Sequence, residues 1–383
     1  MTLYVDPAVK QRRRRVTYEP EKPKLRDPLW AKLCLIFGAL IMVGSGLAVV
    51  VPKVLANWAT AEIPKDDLIP DELVGANIDG AINLLLLGMD ERSTNKTEPI
   101  RADTMIAVHI PKAHDRIYMI SFPRDMQVPI PDYPPTGFVG YRERINAAFA
   151  FGARTPDGKP DASPAGRRQG AALTMQTING LVPGGIKFNG AAIINFEGFQ
   201  KVLEAIGGVR LCVDVETRSI HYDKSGKYHR YEVPYDQRKV YPVGCRNFTA
   251  KQALDYSRQR HFPTGDYVRQ QHQQQLLMAI FKKLTSKGVL TDLGKVRELQ
   301  KVAGDLLTLD LGKTDIIDWI FTLKGLGAED IVMIKTNGGK LANIQGTSYQ
   351  RFTEETRELL KAVHDDTVFE FLTRHPDWIS NLK

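Results

Sequence analysis

The 383-residue chain lacks the short patterns that mark the commonest catalytic machineries. It contains no G-x-S-x-G, no H-E-x-x-H and no G-x-G-x-x-G, which removes the sequence case for a nucleophile-elbow hydrolase, a zinc peptidase or a dinucleotide-binding enzyme. Gly312-Lys313-Thr314 resembles the end of a P-loop, but Leu307 stands where that loop's first glycine belongs. The eight histidines show no zinc spacing, and no internal repeat is visible. Nor is the body strongly basic. Of the net charge of +8, residues 1–32 carry +5, with nine Lys or Arg against four acids, so little is left for a broad nucleic-acid-binding face. What is present is globular: 43% apolar and 25% charged residues exclude disorder of the whole chain. The length suits one large domain or two ordinary ones.

The basic tail (1–32) runs into an uncharged stretch, Leu33 to Val51, flanked by Trp30 and Trp58. Nineteen helical residues rise about 28 Å, close to the hydrocarbon thickness of a bilayer. The expectation is one transmembrane helix at 33–51, with the positive tail cytoplasmic and the body extracytoplasmic. A cleaved signal peptide is the alternative, helped by Ala59-Thr60-Ala61 and weakened by the long leading segment. Residues 52–80, with three prolines among acids, read as a linker. Cys34 lies inside the apolar stretch. Cys212 and Cys245 form an even pair in a body expected outside the cell, which predicts a disulfide, with metal binding the weaker alternative.

From residue 81 the pattern alternates. Apolar runs at 81–88, 104–110 and 115–122 predict strands, the last two antiparallel because only a short turn joins them. Prolines and glycines at 129–140 and 154–166 predict surface loops. A helix is expected over 168–181, then strand 191–194, helix 196–206 stopped by Gly207-Gly208, and strand 207–215. Residues 216–248 read as a polar excursion. Thr249 and Gln252 fit a capping box. Helical patterns over 293–308 and 314–325, a strand at 331–335 and helices to the end complete the list. Strands interleaved with helices predict an α/β fold, a layered α-β-α domain with a central mixed sheet, preceded by the transmembrane helix.

One polar run organises the candidates for chemistry: Leu254 to Gln273, LDYSRQRHFPTGDYVRQQHQ. Arg258 and Arg260 would diverge by about 200° on a helix, so they reach one target only if the helix ends near Ser257. A second helix is expected from Asp266, with 266, 269, 273, 277, 280 and 284 on one stripe. Arginine forks suit phosphate, so an anion site is one reading; a salt-bridged helix hairpin is the other. Gly88-Met-Asp90-Glu-Arg92 follows the first strand and Arg101-Ala-Asp103-Thr104 precedes the second. If these strands are neighbours, Asp90 and Asp103 can approach and, with a phosphate, hold Mg²⁺. Ordinary turn-forming aspartates are the bland alternative. Ser121-Phe-Pro-Arg124-Asp125 adds an arginine after the third strand.

Taken in order, G-x-D-x-R, R-x-D-T, S-x-P-R-D, R-I-N-A-A-F (144–149), F-x-G-F…GG-V (196–209) and A-L-x-Y-x-R-x-R…D-x-x-R…Q resemble the LytR-CpsA-Psr family. The likeness covers about 88–284 and implies a catalytic domain over 81–383. Members of that family are phosphotransferases that take a glycopolymer from a polyprenyl pyrophosphate carrier and join it to peptidoglycan with Mg²⁺. The resemblance implies Asp90 and Asp103 as metal-associated carboxylates and, with Arg124, Arg258 and Arg260, as the catalytic set. Arg92, Arg101, Arg144, Asp266, Arg269 and Gln273 would support substrate binding. His272 stands where an Arg is common, and Arg144 where a Lys often is. A transcriptional attenuator, a label often attached to the family, fits poorly with a basic segment abutting a membrane span. A pyrophosphatase using the same residues is not separable by sequence.

Overall fold

The computed structural model describes residues 67–89, 98–229, 231–259, 262, 266–285, 301–302, 307–314, 318–319, 322–323 and 325–380. They all fall in one compact unit, Leu55–Lys383. The expected tail, the transmembrane helix at 33–51 and most of the linker lie outside the described residues. Among the described residues no helix is long and apolar enough to cross a membrane.

Six strands form the main sheet: β1 (Ile82–Met89), β2 (Ala102–Ile110), β3 (Ile117–Ser121), β6 (Gly190–Asn195), β11 (Leu307–Asp310) and β12 (Ile331–Lys335). Their order is β11-β6-β1-β2-β3-β12. β1 pairs antiparallel with β2 and parallel with β6; β3 pairs antiparallel with β2 and parallel with β12; β11 runs antiparallel to β6. The sheet is mixed, as expected. Period-two alternation divides its two faces: Leu85, Leu87 and Met89 join one core cluster, while Ile82, Leu84 and Leu86 join another. A sheet apolar on both faces must be covered on both. The first face takes α1 (Ile145–Gly152), α2 (Pro164–Asn179), α6 (Glu354–His364) and α7 (Val368–Arg374). The second takes Leu277, Met278 and Phe281 of α5 (Asp266–Thr285), with Trp319.

A third cluster lies beside this layer. It joins α3 (Phe196–Ala205), β7 (Val209–Val213), β10 (Gly244–Phe248), α4 (Ala250–Ser257) and another side of α5. Gly207 and Gly208, both at φ 72°, end α3 and turn the chain into β7. Thr249 and Gln252 form the expected capping box on α4. Cys212 and Cys245 sit directly opposite each other in the β7–β10 pair and are joined by a disulfide.

Several local expectations shift. Residues 67–80, expected in the linker, pack into the body through Leu68, Leu73 and Ile78. Within the expected 129–140 loop, Pro129 and Ile130 belong to β4 (Met126–Ile130), which pairs with β5 (Tyr141–Arg144). Pro129 is tolerated there because β13 (Gln350–Arg351) covers β4 only at Met126 and Gln127. Ser163 caps α2 and Pro164 occupies its first turn, so that helix starts ahead of the apolar periodicity at 168. The polar excursion at 216–248 contains the pair β8 (Thr217–Asp223) and β9 (Arg238–Tyr241) as well as β10. Leu307 and Thr308, expected at a helix end, begin the edge strand β11.

Candidate active site

The topology puts the carboxyl ends of β1, β3, β6 and β12 at one edge of the sheet, the edge where β2 begins. Open α/β sheets bind ligands outside such an edge. Met89, just before Asp90, pairs with Ala102, just before Asp103, so the strand-neighbour condition is met. Gly88 faces Thr104 there, and a Cβ at Gly88 would lie 2.9 Å from that of Thr104. The glycine of G-x-D and the threonine of R-x-D-T therefore constrain each other. Asp90, Arg92, Arg260 and the Asp266 side chain lie outside the described residues.

Asp103, Arg124 and Arg269 come together at this edge. Arg124 follows β3 and donates from Nη1 to Asp103 Oδ1 at 3.3 Å. Arg269, on α5 and only 2% exposed, donates from Nη2 to the backbone carbonyl of Asp103 at 3.3 Å. Two guanidinium groups thus flank one buried aspartate, from elements far apart in sequence. Arg258 caps α4 and stacks 4.2 Å over the ring of Phe196, the residue after β6. A cation over an aromatic face is held without consuming its hydrogen-bond donors. The helix ends at Ser257 as expected, although Arg258 itself keeps helical dihedrals (φ −106°, ψ −5°). Arg101 is exposed just before β2, and Gln273 is half-buried on α5.

Around these residues lies a polar scaffold that the sequence did not disclose. Gln259, between the two arginines of the run, is 1% exposed. It donates from Nε2 to Asp255 Oδ1 at 2.8 Å and accepts from the Ile220 N–H at 2.9 Å. Tyr241 donates to the other oxygen of Asp255 at 2.8 Å. Burial pushes the Asp255 carboxyl above its ordinary range, against the lowering effect of Ser219, Tyr241 and Arg258. His272 is fully buried, stacked on Tyr256 with centroids 4.0 Å apart, and its Nε2 lies 3.1 Å from Asp214 Oδ1. Burial pushes the Asp214 carboxyl up, but His272 and backbone N–H groups outweigh it and hold the carboxyl below its usual range. His272, where an arginine is common, therefore pins α5 to the end of β7.

The expected stripe on α5 is only part of its packing. Arg269 and Ile280 are buried on it, but so are His272, Gln274 and Leu276 off it. The helix is wedged between the second and third core clusters, so one apolar stripe cannot describe its surroundings. A run of glutamines satisfies buried polar partners there. Gln274 donates to Ser121 Oγ at 2.8 Å and to the Ile334 carbonyl at 3.3 Å, and accepts from Ser380 Oγ at 3.2 Å.

The described residues supply one of the two expected metal carboxylates, Asp103, and contain no group of three or more His, Cys, Asp or Glu able to hold a metal. Asp103 is a ligand of the type Mg²⁺ takes, because that ion is held by few carboxylates, keeps several waters and takes other ligands from phosphate.

Fold and site thus define an α/β protein with an arginine-rich cluster around a buried aspartate at the carboxyl edge of its sheet. Residues 57–364 match the LytR_cpsA_psr family, and the chain belongs to that family. It is 27% identical over 284 residues to Biofilm regulatory protein A of Streptococcus mutans, covering 73% of this chain and 61% of that protein. It is 26% identical over 244 residues to the polyisoprenyl-teichoic acid–peptidoglycan teichoic acid transferase TagU of Enterococcus faecalis, covering 63% of this chain and 66% of that one. The chain thus spans under two thirds of the length of these curated relatives. The crystal structure of B. subtilis TagV shares its fold, with a TM-score of 0.55 at 19% identity, covering 76% of this chain and 98% of that one.

Proposed function

We propose that this protein is a membrane-anchored phosphotransferase that moves a glycopolymer from a polyprenyl pyrophosphate carrier onto peptidoglycan. The observation that carries the reading is the Asp103–Arg124–Arg269 cluster at the strand-end edge of a LytR_cpsA_psr domain. The name of the E. faecalis relative describes a transfer of this class. A pyrophosphate must have its oxygens neutralised before a sugar hydroxyl can displace polyprenyl phosphate, and preorganised arginines do this without reorganising during the reaction. Arg124, Arg258 and Arg260 grip the pyrophosphate, with Arg269 and Gln273 behind them, Arg92 and Arg101 adding positive charge, and Asp266 orienting the arginines. In the transfer, the acceptor hydroxyl oxygen forms a bond to the glycan-bearing phosphorus as the bridging oxygen leaves with polyprenyl phosphate. The hydroxyl proton passes to a carboxylate, Asp103 or Asp90. The same two carboxylates would hold Mg²⁺, which supplies further charge neutralisation when bound. The apolar stretch at 33–51 anchors the chain, with the tail in the cytoplasm and residues 81–383 outside.

The test is to incubate the full-length protein in detergent with a lipid-pyrophosphate-linked sugar, Mg²⁺ and a peptidoglycan acceptor. The expected result is conjugate and free polyprenyl phosphate, with Arg258→Ala slower by about 10²–10³-fold. Released phosphosugar without conjugate would instead make the protein a pyrophosphatase. No turnover in the wild type would sink the enzymatic reading.

A further inference from the structure

Arg144 ends β5 at the margin of the site, and its guanidinium is occupied on three nitrogens and one face. Nε lies 3.0 Å from Asp125 Oδ1, Nη1 lies 3.5 Å from Glu143 Oε1, and Nη2 donates to Ser348 Oγ at 2.7 Å. The guanidinium carbon sits 4.4 Å over the ring of Tyr349, whose hydroxyl donates to Glu143 Oε1 at 2.9 Å. Ser348 and Tyr349 immediately precede β13, and that short strand is itself tied to the same place. Gln350 pairs with Met126, and its N–H donates to the Asp125 carbonyl at 2.8 Å. Backbone and side-chain restraints from the 348–350 segment therefore converge on Asp125.

From Asp125 the charges continue to alternate toward the site. Its Oδ2 lies 3.4 Å from Arg124 Nε, and Arg124 Nη1 donates to Asp103 at 3.3 Å. Glu143, Arg144, Asp125, Arg124 and Asp103 thus form an unbroken chain of alternating sign. Asp125, Arg124 and Arg144 each keep about a quarter of their side chain exposed, at 27%, 23% and 27%. The Arg124 Nε that faces Asp125 is itself out of contact with water. The chain of charges fixes the direction of that guanidinium as well as pairing its charge. Only a planar fork can engage three partners in its plane and an aromatic ring on its face.

We infer that Arg144 is a positioning residue that orients Arg124 through Asp125, with Ser348, Tyr349 and Glu143 as its brace, and not a direct ligand of the substrate phosphate. This rests on the reading that Arg124 grips a pyrophosphate. A misplacement of about 1 Å in such a group costs on the order of 10²-fold in rate, so the brace bears directly on chemistry.

The experiment is a double-mutant cycle on the full-length protein in detergent, with Arg144→Met, Asp125→Ala and both together. The readouts are calorimetric affinity for inorganic pyrophosphate with Mg²⁺, and the melting temperature. Each single variant is expected to weaken pyrophosphate about 10-fold, with little change in melting temperature, and the double variant to lose no more than the weaker single one. Losses that multiply to about 100-fold would mean that Arg144 acts independently of Asp125 and would overturn the inference. So would unchanged affinity in Arg144→Met, or a wild type that does not bind pyrophosphate. A wild type that binds pyrophosphate but transfers no glycan would refute the proposed activity and leave the brace to be judged on the affinities.

Discussion

Replacing Gln274 with Met keeps the length of the side chain and removes its amide, which isolates the polar link between α5 and the sheet. The amide makes three hydrogen bonds, to Ser121 Oγ, the Ile334 carbonyl and Ser380 Oγ, at 2.8, 3.3 and 3.2 Å. Gln274, Ser121 and Ser380 are 1%, 3% and 8% exposed, so water cannot take the lost amide's place. Each net hydrogen bond is worth about 1 kcal/mol, and a stranded buried partner costs about 1–3 kcal/mol. The better transfer of a thioether than an amide into the core offsets part of this. The expected net loss is about 2–3 kcal/mol, read as a shift in the urea midpoint at unchanged slope. Pairing the change with Ser121→Ala should show a coupling of about 1 kcal/mol, because both substitutions break the same bond. Ser121 lies just ahead of Arg124 and Gln274 just beyond Arg269, so turnover should fall further than stability alone explains. A loss below about 0.5 kcal/mol, or strict additivity with Ser121→Ala, would refute the idea that this amide sets the spacing of the two arginines.

Two further outcomes are expected. His109 is fully buried, with Nδ1 2.8 Å from Asn83 Oδ1 and Nε2 3.0 Å from Asp366 Oδ1. Burial lowers its pKa despite the raising effect of Asp366, so the unfolded chain binds the proton more readily. Its stabilising contribution is then present above the ordinary histidine value of 6.5 and is lost as pH falls through the lower folded value. Melting temperature against pH should show an acid-side decline that flattens in His109→Gln; parallel curves would contradict this. The Cys212–Cys245 disulfide spans 33 residues and should contribute about 3–4 kcal/mol on the chain-entropy model. A reductant, or the double Cys→Ala variant, should lower the melting temperature by several degrees, and an unchanged melt would show that the β7–β10 pairing holds without it.

Local chemistry made much of the fold legible in advance. Runs of β-branched and aliphatic residues named β1, β2, β3, β6 and β12 of the main sheet, because a strand covered on both faces needs no polar alternation, and alternation around Arg210 named β7. The capping box at Thr249 and the Gly207-Gly208 stop fixed two helix ends through bonds made within a few residues. The order of acids and arginines at strand ends likewise suggested that Asp103 and Arg124 could meet, since the start of an antiparallel strand such as β2 shares an edge with the ends of its neighbours. Gly88 and Thr104 belonged to separate motifs in the sequence, and only the β1–β2 register shows that each restricts the other.

Tertiary structure alone decided the rest. No local rule says that α5 lies between two cores, so the single stripe, charged at one end and apolar at the other, left out His272, Gln274 and Leu276. The partners of Gln259, His272 and Gln274 come from β8, the end of β7 and the sheet with the C-terminal segment, contacts whose sequence separation leaves no periodicity to read. Arg144 is the clearest case. By sequence it is one more cation near a phosphate site, and its meeting with Ser348 and Tyr349 depends on β13 joining β4 from across the chain. The sequence by itself determined which residues could carry charge at the strand ends and which segments would bury themselves. Which charge meets which other charge was decided by packing, because hydrogen bonds between distant elements are specified by the whole fold and by no segment of it.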